Sequence, residues 1–247
     1  MASDLAGSLG IQSWCFRGFK SHEGVIKALK DCGVSRLELS GAHYNPAKET
    51  NHKEIIDLYR KGGITISAYG VCLMSNDEAR SRAYFEFAKA AGNKVLNVAF
   101  GEGGREMADR LAEEYGIKAA LHNHGRKDEN GPVWRIEEHL AKSSANVGLC
   151  LDTAWMMDSG EDPIAIAKKF KDRIYAVHVK DFIFQRNGKP EDVVVGEGNL
   201  DLKAFLAFLK EIDFGGVFTL EFEGDINDPV PATRKCVEVV RKTLAAL

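Results

Sequence analysis

Eight short runs recur along the 247-residue chain in which apolar residues alternate with small or polar ones. They are "LGIQSWCF" from Leu9, "SRLELS" from Ser35, "ITISAYGV" from Ile64, "KVLNVAFG" from Lys94, "IKAALHNHG" from Ile117, "VGLCLDTAW" from Val147, "IYAVHVKDF" from Ile174 and "GVFTLEFEG" from Gly216. Alternation with period two predicts strands, each with one face against a hydrophobic layer. In the sixth run Leu149 and Leu151 share a face, opposite Gly148, Cys150 and Asp152. In the seventh Val177 and Val179 oppose Ala176, His178 and Lys180, and in the eighth Phe218, Leu220 and Phe222 oppose Thr219, Glu221 and Glu223. Leu96, Val98 and Phe100 likewise oppose Asn97. Helical punctuation fills the gaps. Asn51 stands three residues before Glu54, and Ser75 three before Glu78, both capping-box spacings. Asp162-Pro163, Asp201 and Asp228-Pro229 predict further helix starts.

Strand and helix therefore alternate, each pair taking roughly 25 to 30 residues, which predicts a single α/β domain over residues 1–247 built as a (β/α)8 barrel. No GxGxxG turn follows the first strand, which removes the main support for a dinucleotide-binding sheet. The Gly101-Glu102-Gly103-Gly104 turn follows the fourth strand and reads as a connection. In a barrel the bulky faces pack on the helices, while the small and polar faces line the interior and end at the mouth, where active sites lie. The longest connection, "IFQRNGKPEDVVVGEGN", is expected to cover that mouth.

That geometry gathers ionisable groups. Asp152, His178, Glu221 and at least one of His122 and His124 are expected to converge, since both histidines of "HNH" share strand parity. Imidazole nitrogens and carboxylate oxygens without sulfur suit one divalent cation, Mn²⁺, Co²⁺, Zn²⁺ or Mg²⁺. Lys180 either neutralises a substrate oxyanion or pairs with a carboxylate. Trp14, Phe16, Tyr44 and Trp155 offer flat aromatic surfaces for a ligand.

Composition narrows the partners. A net charge of -3 gives no basic footprint for nucleic acid. Five cysteines, an odd number without a CxxC, argue against a disulfide framework and for a reducing compartment. The opening "MASDLAGSLG" lacks a signal-peptide pattern, and no apolar run reaches membrane-spanning length, so a cytoplasmic protein without membrane contact is expected. Homo-oligomerisation is left open.

The segments "LDTAW", "VHVKD", "GEGNLDLKAFLAFLK" and "TLEFEGD", in that order and spacing, resemble the xylose isomerase-like TIM barrels, in particular the sugar phosphate isomerase/epimerase group. The resemblance implies one cation, Mn²⁺ first, held by Glu, Asp, His and Glu from four strands. Asp152, His178 and Glu221 match the last three, and His122 stands where the first glutamate is expected. His124 is then either a proton-transfer group or the ligand in place of His122. Trp155 occupies a position where the family's epimerases carry histidine. The implied activity is isomerisation or epimerisation of a keto- or aldehydo-sugar through an enediolate, with Glu221, His124 and Lys180 as catalytic groups and Trp14, Glu38, Asn97 and Trp155 as substrate contacts. The alternatives are a lyase that dehydrates a keto-sugar or 3-keto-glycoside, and a non-catalytic sugar-binding barrel.

Overall fold

The computed structural model describes residues 4–247. Ten strands are formed among the described residues: β1 (Gly10–Gln12), β2 (Arg36–Leu39), β3 (Thr65–Met74), β4 (Val95–Phe100), β5 (Lys118–His122), β6 (Val147–Asp152), β7 (Ile174–Val179), β8 (Phe182–Phe184), β9 (Pro190–Asp192) and β10 (Val217–Leu220). Eight of them close a parallel barrel in the order β1, β10, β7, β6, β5, β4, β3, β2, while β8 and β9 form a separate antiparallel hairpin. The expected (β/α)8 architecture is therefore the observed one. Because β1 pairs with both β10 and β2, no barrel edge is left open.

Strand alternation separates two apolar regions. Leu96, Val98, Leu149, Leu151, Val177, Val179, Phe218 and Leu220 are buried in the layer between barrel and helices, together with helix residues such as Leu111, Ile136, Leu206 and Val240. Removing each such side chain from water contributes about 1.5–3 kcal/mol. The barrel interior is narrower, and its floor is a small cluster of Val95, Ala120, Cys150 and Ala176. Above that floor the inward positions turn polar, with Asn97, His122, Asp152, His178 and Thr219 all buried.

Helix entry follows the expected chemistry at several points and departs from it at others. Asp162 accepts from the Ile164 N–H ahead of the helix Pro163–Lys169, and Asp201 from the Ala204 N–H ahead of Leu202–Glu211. The helix Glu78–Ala91 is capped by Asp77, which accepts from Arg80, rather than by Ser75. Ser75 instead accepts from the Asp77 N–H and shapes the turn before the cap. Asn51 sits at the N-cap of His52–Lys61 without a side-chain cap bond. Pro229, and not Asp228, occupies the cap position of Val230–Ala245. The first run is strand only to Gln12 and then tightens into a 3₁₀ turn over Ser13–Phe16, which turns its end across the barrel mouth. The long connection after β7 is ordered by the β8–β9 hairpin and by Asp181, whose carboxylate accepts from Gly196, Gly198 and Leu200 N–H groups.

Gly148, inward-facing on β6, has no room for a side chain. A Cβ there would meet the Arg173 carbonyl oxygen at 2.3 Å and the Tyr175 ring at 2.4 Å. Gly148→Ala is expected to destabilise the fold by about 1–3 kcal/mol through overpacking, read as a lower thermal midpoint in calorimetry. An unchanged midpoint would show that the barrel floor relaxes freely.

Candidate metal centre

Four strands deliver one ionisable side chain each to a single point. His122 ends β5, Asp152 ends β6, His178 lies near the end of β7, and Glu221 follows directly on β10. One nitrogen or oxygen from each lies within 4.8 Å of the other three, and all four residues are buried. His122 Nε2 is 3.1 Å from His178 Nδ1, 3.6 Å from Asp152 Oδ2 and 4.0 Å from Glu221 Oε2. His178 Nδ1 is 3.4 Å from the same Glu221 oxygen. The separations are short enough for one cation to bridge and too long for a complete hydrogen-bond network.

Neighbouring groups hold these side chains in place. The carboxylate of Glu38 can only accept, so His178 Nε2–H donates to its Oε2 at 2.9 Å, and Nδ1 faces the cluster. Gln12 donates to the other Glu38 oxygen at 2.8 Å and to the Gly70 carbonyl at 3.0 Å. Asn123 clamps the end of β6, donating to the Asp152 carbonyl at 3.1 Å and accepting from the Asp152 N–H at 2.9 Å. Asp152 Oδ1 accepts from the Trp155 N–H at 2.8 Å, so that oxygen caps the following helix, Thr153–Asp158.

The electrostatics leave a gap of the right sign. Asp152 Oδ2 is buried without a hydrogen-bond partner among the described residues, a deficit that costs about 1–3 kcal/mol when nothing compensates it. Burial, reinforced by Glu221, raises the Asp152 pKa to about 7. Burial and the neighbouring His178 push His122 down to about 3, and burial with His122 pushes His124 down to about 4, so both imidazoles are neutral donors at pH 7. Burial also acts to raise Glu221, but Lys180 and His178 outweigh it and hold the carboxyl well below its ordinary range. Burial opposes charge on Lys180 in turn, yet Glu221 and Asp192 keep its pKa above the usual lysine value. Burial acts against charge on His178, but Cys150, Glu38 and Glu221 outweigh it and hold its pKa well above the ordinary histidine value, so a cation binding there displaces a proton from His178. Two imidazoles, from His122 and His178, and two carboxylates, one with an unpartnered oxygen, fit a borderline divalent cation.

The other anticipated residues are distributed around this point. Lys180 Nζ lies 3.7 Å from Glu221 Oε2, contacts Glu223, and sits 5.2 Å above the Trp155 ring. His124 lies beside His122 with ring centroids 4.6 Å apart and planes tilted by 58°, but it is not part of the four-atom group. A cavity of about 420 Å³ opens over the cluster, walled by Trp14, His124, Trp155, Gln12, Glu221 and Glu223. Trp14 is at its rim and donates from Nε1 to Glu223 at 3.0 Å. Glu38 and Asn97 were expected to meet substrate. Both are fully buried, and the structure places Glu38 against His178, while Asn97 Nδ2 is 3.5 Å from His178 Nε2. Phe16 and Tyr44 are buried in the outer apolar layer and offer no face to a sugar. Two supporting residues escaped the sequence reading. Gln12 shares the inward parity of its strand and was legible in principle, whereas Asn123 lies on the opposite parity from the histidines and carried no signal.

The molecule is a (β/α)8 barrel with a metal-ready cluster at the carboxyl ends of its strands, and sequence comparison places the chain in a family of such barrels. The chain belongs to the xylose isomerase-like TIM barrel family, whose model matches residues 26–243. It is 28% identical over 153 residues to the rhizopine catabolism protein MocC of Rhizobium meliloti, an alignment taking in 55% of this chain and 45% of that protein. The chain thus spans about half the length of the first relatives it matches. A longer alignment, 28% identical over 278 residues, covers 94% of the chain and 88% of the inosose dehydratase of Clostridium perfringens. Among solved structures, the IOLI protein with a bound zinc atom superposes with a TM-score of 0.75 at 18% identity, covering 96% of this chain and 98% of that one.

The two histidines of the "HNH" segment separate by experiment. His122→Ala is expected to abolish stoichiometric retention of Mn²⁺ or Zn²⁺ in elemental analysis after gel filtration, while His124→Ala retains it. Retention in both variants would remove His122 from the ligand set. Glu38→Gln keeps the shape but weakens the acceptor that orients His178, so cation affinity measured by calorimetry is expected to fall by about 10–100-fold.

Proposed function

We propose that the chain is a divalent-metal-dependent enzyme that moves the α-proton of a keto- or aldehydo-sugar, acting as an isomerase or epimerase. The observation that carries this reading is the convergence of four donor atoms within 4.8 Å beneath a cavity walled by two tryptophans and a neutral histidine. Mn²⁺ is the proposed native cation, with Co²⁺, Zn²⁺ and Mg²⁺ as competitors. His122, Asp152, His178 and Glu221 would hold the cation, which would supply Lewis-acid polarisation of the substrate.

The rest of the chemistry belongs to the side chains. Glu221, held ionised by Lys180 and His178, is the proposed base for the carbon acid. Lys180 stays protonated and places positive charge beside the oxygen on which negative charge develops. His124, neutral at pH 7, stands on a different wall: β5 is separated from β10 by β6 and β7. Proton-handling groups on two walls suit removal of a proton from one position and its return at another. Return to the neighbouring carbon isomerises the sugar, and return to the opposite face epimerises it. Trp14 and Trp155 give the sugar ring apolar surfaces to lie against. A cytoplasmic location completes the reading, supported by five free cysteines, none of them paired.

A second reading, dehydration of a keto-sugar or keto-polyol, is favoured by the near full-length similarity to an inosose dehydratase. It is favoured also by His122 standing where a second proton-moving glutamate is expected. The same α-deprotonation would then be followed by departure of a β-hydroxyl as water, with the proton for the leaving oxygen supplied by Lys180.

One experiment separates these outcomes. Cation-loaded protein is incubated in D₂O with a panel of ketohexoses, 3-keto-glycosides and inososes, and products are followed by mass spectrometry. Deuterium incorporation without change of formula supports the isomerase or epimerase, and loss of water with a new enone absorbance supports the dehydratase. Saturable binding without deuterium incorporation would leave a sugar-binding barrel and overturn both catalytic readings.

A further inference from the structure

The two imidazoles of the cluster also belong to a second group of donors. Cys150 lies two residues before Asp152 on β6, so its side chain enters the barrel on the same face and one layer deeper. In the β5–β6 register it stands directly opposite His122. Its Sγ and one nitrogen from each of His122 and His178 lie within 4.8 Å of one another, all three residues being buried. Among the described residues no other cysteine joins such a group. Cys150 also belongs to the small apolar floor of Val95, Ala120 and Ala176, and its thiol shares a side-chain hydrogen bond with His178. One more observation points to a ligand: His122 Nδ1 is buried without a hydrogen-bond partner, even though Nε2 faces His178.

We propose that Cys150, His122 and His178 form an alternative coordination set for a thiophilic cation, one layer below the oxygen-bearing set and mutually exclusive with it. The chemical distinction is softness. A thiolate and two imidazoles favour Cd²⁺, Cu⁺ or Zn²⁺, whereas the carboxylates of Asp152 and Glu221 favour Mn²⁺ or Mg²⁺. As the S–metal bond forms, the S–H bond breaks and its proton leaves to solvent, with no change of oxidation state. Exclusion follows because both sets need the same two imidazoles. The deeper position is also removed from the cavity, whose walls include His122 and Glu221 but not Cys150. A thiophilic cation seated there withdraws the histidines from the upper set and lies out of reach of a bound sugar. The barrel thus sorts cations by depth.

The test needs no substrate, so it stands or fails apart from the proposed reaction. Cation-stripped full-length protein is titrated with CdCl₂ and watched for the ultraviolet charge-transfer absorption of a cadmium thiolate. The unmodified chain is expected to develop this absorption, and Mn²⁺ added first is expected to delay it by competing for the histidines. Cys150→Ser, nearly isosteric, is expected to lose the absorption while keeping its Mn²⁺ affinity within the scatter of the unmodified protein. Absence of the band in the unmodified chain, or its persistence in Cys150→Ser, would overturn the proposal. So would a fall of about tenfold or more in the Mn²⁺ affinity of a correctly folded Cys150→Ser, the size expected when a group serving the upper set is lost. Circular dichroism of each variant confirms folding.

Discussion

Like charges and imidazoles crowded into one buried space are the constraint around which this barrel is organised. Asp152 and Glu221 both lie out of water, and both come within 4.0 Å of the same His122 nitrogen. Left alone, two buried carboxylates at this distance repel each other strongly, and one takes up a proton. The protein answers with Lys180, buried and 3.7 Å from Glu221, and with His178 at 3.4 Å. Glu221 is thereby kept ionised while Asp152 carries the residual strain as a raised pKa and an oxygen without a donor. A divalent cation resolves that imbalance, which is why the cluster reads as a coordination site in preference to a structural ion-pair network.

The surrounding shell explains how such a cluster is held still. His178 is oriented by Glu38, and Glu38 by Gln12, a chain that ties β7 across the barrel to β2 and β1. Asn123 forms two bonds to the Asp152 backbone, fixing the end of β6 relative to β5. Thr153 donates to the Lys180 carbonyl at 2.6 Å and accepts from its N–H at 2.9 Å, locking β6 to the end of β7. Each of the four clustered side chains therefore rests on a strand end that is bonded to its neighbour. Such preorganisation lets a site stabilise developing charge without first rearranging.

Both apolar layers serve the same end. The thick outer layer fixes the strands against the helices, and the thin floor of Val95, Ala120, Cys150 and Ala176 leaves the upper interior free for polar groups. Had the inward positions been bulky, the imidazoles could not have approached to 3.1 Å. The hairpin β8–β9 contributes from above: Asp192 accepts from the Glu223 N–H and lies 3.9 Å from Lys180, joining the long connection to the mouth.

Alternation along single strands already determined the barrel, the inward parity of Asp152, His178 and Glu221, and the meeting of those groups at one end. Period-two patterning is a local property, because a strand's two faces are set by its own backbone, so it can be read without knowing the neighbours. Helix caps were legible to within a residue or two, since several polar side chains compete for the same few N–H groups; Asp77 won over Ser75 for that reason. What tertiary structure alone decided was which atoms meet. Parity made His122 and His124 equivalent, and only the closure of β5 against β6 and β7 brought His122 Nε2 to His178 while leaving His124 beside it. Glu38 looked like a substrate contact until the barrel carried it behind the ring of His178. Distances across the interior depend on strand tilt, register shifts and side-chain packing from eight separate segments, and no single stretch of sequence contains that information.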